Sequence, residues 1–454
     1  MTVLRRPWGS AYLLARLVVI STMSLPAWQA ATGHEGPHAG EGSRFTDNEQ
    51  HRPTPLPDRV VLTWSDDPTN SIDVSWRTDT NTDTTVAEYA PAESVVGNLR
   101  DGDVPHADRI SGTKQVFQSD LGTCHIHSAQ FTGLTPATMY AYRVGDGKYW
   151  SEWFQFRTAA DSDQPFTFVY FGDAQNAVRS LWSRVIREAN QHAPRAAFML
   201  HAGDLVNEDN SDAEWGEWFG AGGWLNGMIP VVATPGNHEY DDERGLSRHW
   251  QPQFAFPLNG PSGLEESVYW FDYQGARIVS LNSNERIDEQ REWLTPVLTD
   301  PDRPKWTIVT FHHPIFSAGK DRDNQRLRAA WRPVLEGHGV DLVLQGHDHT
   351  YARSGLGGPT NANVPEGVRA HSRNTVYVVS VSGPKMYPLQ GRWKVSREAS
   401  GVQLFQVIRV APEQIRYEAR LATGNLYDAF TLAKGDDGQS VLTEQIPDVP
   451  PQRH

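Results

Sequence analysis

The chain has 454 residues, 41 Lys+Arg against 55 Asp+Glu, a formal net charge of -14 and one cysteine, Cys124. At roughly 100–200 residues per domain, this length suggests two to four domains with at least one large core. One cysteine excludes an internal disulfide and a Cys-rich zinc or iron–sulfur site, and the acidic balance argues against a nucleic-acid-binding face.

Residues 1–33 read as a secretory signal peptide. Arg5 and Arg6 form a basic start, Leu13 to Ala27 is mostly apolar, and small residues follow at Ala30, Ala31 and Gly33. Cleavage would remove three arginines and no acid, taking the net charge from -14 to -17. No other segment approaches 18 uninterrupted apolar residues, so the mature chain is expected to lack a transmembrane segment and to be secreted or periplasmic. Residues 34–57, rich in Gly, His and Pro without a period, read as a linker.

Over 58–158, short alternating runs such as Val60 to Trp64, Ile72 to Trp76 and Met139 to Val144 are separated by Asp, Asn, Gly and Pro, the pattern of an antiparallel β-sandwich. The stretch Gly133 to Tyr142 resembles the fibronectin type III signature, in which a tyrosine ties a corner before a strand, with Trp76 as the core tryptophan. Cys124 reads as a small buried hydrophobe.

From 159 to 433 the pattern becomes β/α. The run Phe166 to Phe171 is followed by Val178, Leu181, Trp182, Val185, Ile186 and Ala189, one face of an amphipathic helix. Further apolar runs begin at Ala196, Ile229, Arg277, Trp306, Val340 and Val376, with another helical stripe at Leu327, Trp331, Val334 and Leu335. Trp215, Trp218, Phe219 and Trp224 could stack on a nucleobase or form the apolar face of a short helix. The tail from 434 to 454 is polar and shows no core pattern.

Five polar motifs sit just after apolar strands. They are Gly172-Asp173-Ala174-Gln175, Gly203-Asp204-Leu205-Val206-Asn207, Gly236-Asn237-His238-Glu239, His312-His313-Pro314 and Gly346-His347-Asp348-His349. Strand ends on one side of an α/β sheet form the crevice where ligands bind, so motifs spread over about 180 residues should converge. Carboxylates, amides and imidazoles together suit Zn, Mn or Fe and suffice for two ions.

In order and wording these motifs resemble the calcineurin-like metallophosphoesterase superfamily, and the fibronectin-like domain in front points to its purple-acid-phosphatase-like branch. The resemblance implies a two-sheet α/β sandwich preceded by an all-β sandwich, with two divalent or trivalent metal ions at the strand ends. It implies that Asp173 and His349 bind the first metal, Asp204 bridges both, and Asn237, His312 and His347 bind the second. His238 would lie near the phosphate and leaving group as a catalytic contact, as would His313 on weaker grounds. Tyr351 and Arg353 would be substrate contacts or supports just outside the ligands. His201 would be a support or a packing residue, and Glu239 would hold His238 in one tautomer.

Two departures from the family matter. Gln175 stands where many members have a histidine, and Asn207 stands where purple acid phosphatases have a tyrosine that binds iron. Either amide, both, or a water could complete the first metal site, and without a tyrosinate no charge-transfer colour is expected. The primary expectation is hydrolysis of small-molecule phosphate monoesters by a metal-bound hydroxide. A phosphodiesterase or nucleotidase on the same scaffold, and an exported binding or adhesion protein with a degenerate metal site, are the alternatives. Protein partners are not declared by the sequence.

Overall fold

Eight strands between Asp58 and Arg157 form two four-stranded antiparallel sheets. One has the order Asp58–Thr63, Ile72–Thr78, Gly122–Phe131, Thr113–Ser119, and the other Asp108–Ser111, Val86–Pro91, Met139–Gly145, Phe154–Arg157. Trp76 is buried between them and stacks on His127 at 5.2 Å. The Tyr140 hydroxyl accepts the Thr135 amide at 2.9 Å, the tied corner the sequence anticipates. Cys124 is buried with Phe117 and Ile126, and desolvation pushes its thiol up to about 11, so it is an inert core residue.

This computed structural model describes residues 46–95, 107–243, 245–319, 322–358, 374–391, 393–435 and 438–452. The expected export signal at 1–33 and the first part of the linker lie outside the described residues. The described end of the linker opens with a helical turn, Asp47–Gln50, closed by a reciprocal Thr46–Glu49 cap. Among the described residues no helix is long and apolar enough to cross a membrane.

The second domain packs two seven-stranded mixed sheets, as expected. In the first, Val231–Ala233, Met199–His201 and Phe166–Phe171 run parallel, and antiparallel strands continue outward from Leu404–Val410. In the second, Ala276–Ser280, Trp306–Thr310, Leu342–Gln345 and Val376–Val379 form the parallel centre. These strands are mostly apolar and buried at nearly every position because both faces are covered. The sheets meet where the Tyr170 hydroxyl donates to the Gln345 carbonyl and Asp173 bridges Val381. All five motifs therefore leave the C-terminal ends of parallel strands at one junction.

The helix anticipated from Val178 begins as one wide turn, Val178–Trp182, before the α-helix Ser183–His192. Trp215, Trp218 and Phe219 are buried on the helix Asp212–Gly222 and Trp224 is exposed, so this group packs on the core. The tail differs from expectation. Ser440–Glu444 pairs with Leu426–Lys434 as the outermost strand of the first sheet, and Glu444 accepts the buried Arg353 guanidinium at 2.6 Å. A short edge strand with one inward charge carries little apolar signal, which is why it reads as a polar tail.

The two domains share one aromatic core. Trp64 of the sandwich sits among Phe198, Phe271 and Tyr273 of the second domain at 5.6–6.2 Å. Beside it, Arg59 and Arg77 converge on Asp212 at 2.6 and 3.2 Å, all three side chains nearly excluded from solvent.

Candidate metal centre

The site begins with backbone the chain adopts only under constraint. Asp204, His347 and His349 all have left-handed conformations, with φ of 52°, 73° and 48°. Such residues cost of order 1–3 kcal/mol each and persist where their surroundings over-determine them. The glycines before them allow the motifs to interlock. A Cβ at Gly236 would lie 2.1 Å from Asp204 Oδ1, and one at Gly346 would lie 2.3 Å from Asp173 Oδ1.

Two donor groups result. In the first, ligand atoms of Asp173, Asp204 and His349 lie within 4.8 Å of one another, and in the second those of His312, His313 and His347 do. His349 donates from Nδ1 to the Lys385 carbonyl at 2.9 Å, which turns Nε2 to Asp173 Oδ2 at 3.1 Å. His312 donates from Nδ1 to the Ala202 carbonyl at 2.9 Å, leaving Nε2 3.1 Å from Asn237 Oδ1 and 3.1 Å from His347 Nδ1. Asp204 stands between the groups, with Oδ1 3.2 Å from His312 Nε2 and Oδ2 accepting Gln175 Nε2 at 2.6 Å.

The electrostatics call for a cation. Burial alone would raise the Asp204 carboxyl, but His312, His238 and His347 hold it well below the usual carboxylate range. Burial would likewise lower His312, yet the Asp204 charge raises it to about 9, so a proton stands where positive charge is required. Asp173 Oδ2 is buried with no hydrogen-bond partner. Orphaned acceptors facing imidazole nitrogens in a closed site fit a metal of the O/N-ligated kind.

His238 is half-buried. Its amide donates to Asp204 Oδ1 at 3.0 Å and its Nδ1 donates to the Asn207 carbonyl at 2.6 Å, so Nε2 is the free nitrogen. His313 shares Nδ1 with the Ser283 hydroxyl at 2.9 Å and lies 4.2 Å from the His347 ring; desolvation pushes it down to about 3, so it is neutral. Asn237, His238, His313 and His347 form the partly open side, whereas Asp173, Gln175, Asp204, His312 and His349 are fully buried.

Three sequence-derived roles change, those of Glu239, Tyr351 and Arg353, while Asn207 and His201 each fall on one of the alternatives open to them. Glu239 does not touch the His238 ring. Its carboxylate accepts the amides of Asp204, Leu205 and Gly236 at 2.7–2.8 Å, which clamps the second motif to the third. Burial, aided by the Asp204 charge, pushes that carboxyl up to about 7 against the pull of these amides. The Asn207 side chain is engaged by Asn176 and Glu208, and only its carbonyl serves the site. Tyr351 and Arg353 are fully buried on Asp428, with Arg353 also reaching Glu444, and contact no part of the centre. His201 packs among Phe171, Trp182 and Trp218 and is held neutral by burial, at about 3.

One residue escapes sequence reasoning. Arg322 donates to His347 Nε2 and, at 3.0 Å, to the His347 carbonyl, and its Nε lies 3.3 Å from Asp348 Oδ1. Its guanidinium also lies 4.9 Å from the Tyr387 ring, which itself packs 4.7 Å from His349. The only signal is a charged run, Asp321 to Asp323, shortly after the His-His-Pro motif.

Residues 57–158 match the N-terminal domain of purple acid phosphatases, and residues 166–351 match the calcineurin-like phosphoesterases. The chain therefore combines a calcineurin-like phosphoesterase domain with the N-terminal domain of purple acid phosphatases in front of it. It is 27% identical over 311 residues to an uncharacterised protein of Mycobacterium tuberculosis, covering 58% of this chain and 59% of that one. It is also 27% identical over 266 residues to purple acid phosphatase 15 of Arabidopsis thaliana, covering 50% and 49%. The chain thus spans about half to three-fifths of the length of these curated relatives. The fold superposes on purple acid phosphatase PPD1 from yellow lupin (Lupinus luteus) seeds with a TM-score of 0.70 at 19% identity, over 84% of this chain and 75% of that one.

Proposed function

We propose that the chain is an exported, metal-dependent phosphoesterase that hydrolyses phosphate monoesters. The observation that carries this reading is Asp204, which groups with Asp173 and His349 and whose Oδ1 lies 3.2 Å from His312 of the other donor group. Asp173, Asp204 and His349 would hold a first ion, and Asp204, Asn237, His312 and His347 a second. Such a pair, when bound, supplies a water of near-neutral pKa and positive charge for the phosphoryl oxygens.

The chain's own residues account for orientation and proton transfer. The Ala202 and Lys385 carbonyls fix which nitrogens of His312 and His349 face inward. His238, held at Nδ1 by Asn207, would deliver a proton to the leaving oxygen from Nε2 when its ring is doubly protonated. Neutral His313 adds no charge and leaves the open side to the substrate. The name of the Arabidopsis relative and the family of the second domain support the phosphatase reading.

The test is metal content measured beside rates on a phosphomonoester and a matched diester. Asp204→Asn and Asn237→Ala are expected to lose metal and hydrolysis together. Full activity in either variant overturns the assignment, and faster diester turnover moves the reading to a phosphodiesterase. Less than one ion per chain with no turnover after Zn, Mn or Fe supplementation points to a binding protein.

A further inference from the structure

We propose that Gln175 is the fourth protein ligand of the first ion, through its side-chain oxygen, and that this makes the first site one for a divalent rather than a ferric ion. The inference rests on the two-ion reading above and adds what that reading leaves open.

Gln175 is fully buried, with Nε2 2.6 Å from Asp204 Oδ2 and 3.4 Å from His349 Nε2. Both atoms it faces are acceptors: one is a carboxylate oxygen, and the other is a nitrogen whose ring already donates from Nδ1 to Lys385. The amide's NH2 group therefore stands where a cation would, between Asp204 and His349. Its other end is unsatisfied, since Oε1 is buried without a hydrogen-bond partner. A buried acceptor left unpaired costs about 1–3 kcal/mol. Turning the planar amide half a turn about its last bond exchanges the two ends with almost no change of shape. With an ion present, that turn removes a donor from the position the cation takes and brings Oε1 to it, which satisfies the orphaned atom.

Among the described residues, the two other side chains considered for this role are placed otherwise. Asn207 is engaged by Asn176 and Glu208, and His201, although buried with Nε2 unpaired, is packed within an aromatic cluster. The resulting set is two carboxylates, one imidazole and one neutral amide oxygen. It lacks the anionic phenolate or extra imidazole that would favour a trivalent or softer ion, and an oxygen-rich set of this kind suits Mn(II).

The test is calorimetric titration of the metal-free full-length chain with Mn(II), with electron paramagnetic resonance of the loaded protein as a second readout. Wild type is expected to take up two ions and show a spin-coupled pair. Gln175→Ala should weaken one of the two binding steps about 10- to 100-fold and leave the other, giving the spectrum of an isolated ion. Gln175→Glu, nearly isosteric and one charge more negative, should restore two-ion binding, which separates loss of a ligand from loss of folding. Two unchanged binding steps in Gln175→Ala overturn this inference alone. Fewer than two ions on wild type overturn the two-ion reading and this inference with it.

Discussion

His238 and Asn207 are joined by a 2.6 Å hydrogen bond from the imidazole Nδ1 to the backbone carbonyl. This contact ties the Gly-Asn-His-Glu motif to the Gly-Asp motif and, on the proposed function, determines which nitrogen of His238 would exchange a proton with substrate. A positioned general acid contributes about 10²- to 10⁴-fold. His238→Gln should lose that much in kcat while retaining its metal, a combination that single-turnover rates beside metal analysis will show.

The same contact makes a prediction for Asn207. Because the carbonyl acts and the side chain does not, Asn207→Ala should keep both ions, with stability changed by about 0.5 kcal/mol or less. A metal-binding titration showing the loss of one ion would contradict the geometry, since it would restore the side chain as a ligand.

Asp212 is shared by two arginines at the joint between the domains. Asp212→Ala would leave Arg59 buried without a carboxylate and Arg77 with Asp58 alone, and breaking a buried pair in this way costs about 3–5 kcal/mol. Urea unfolding should show a lower midpoint, while any hydrolysis in the folded fraction stays normal because the proposed metal ligands lie elsewhere.

Asp73 gives a pH signature distant from the metals. Burial pushes its carboxyl up to about 6, although Ser65 donates to it from both amide and hydroxyl at 2.7 and 2.8 Å. A raised carboxyl favours the folded state in acid, and that contribution is lost as pH rises from about 4 through about 6; two units correspond to about 3 kcal/mol. Asp73→Asn should flatten this part of the melting-temperature profile and be more stable than wild type at pH 7. A wild-type profile flat across that interval would refute the assignment.

The proposed ligands are legible in the sequence because each lies in a short motif immediately after an apolar strand, so local pattern and chemistry coincide. Residues whose partner is set by the approach of distant segments are not. Glu239 reads as a partner of its neighbour His238, but the turn at Gly203 and the close approach at Gly236 bring the Asp204 and Leu205 amides to it first. Tyr351 and Arg353 follow a metal motif directly, yet they lie on a strand paired on both sides and point to Asp428, more than seventy residues away. The strand Ser440–Glu444 escapes notice for a related reason, since its inward charge meets Arg353 and not an apolar core.

Trp64 has a consequence for how such a protein can change over generations. Its ring belongs to the sandwich by sequence and to the second domain by packing. A recombination event that exchanged the front domain for an unrelated one would open an aromatic socket lined by Phe198, Phe271 and Tyr273 and strand Asp212 without its arginines. The two halves are therefore expected to be inherited as a unit, with substitutions around Trp64 accepted in compensating pairs.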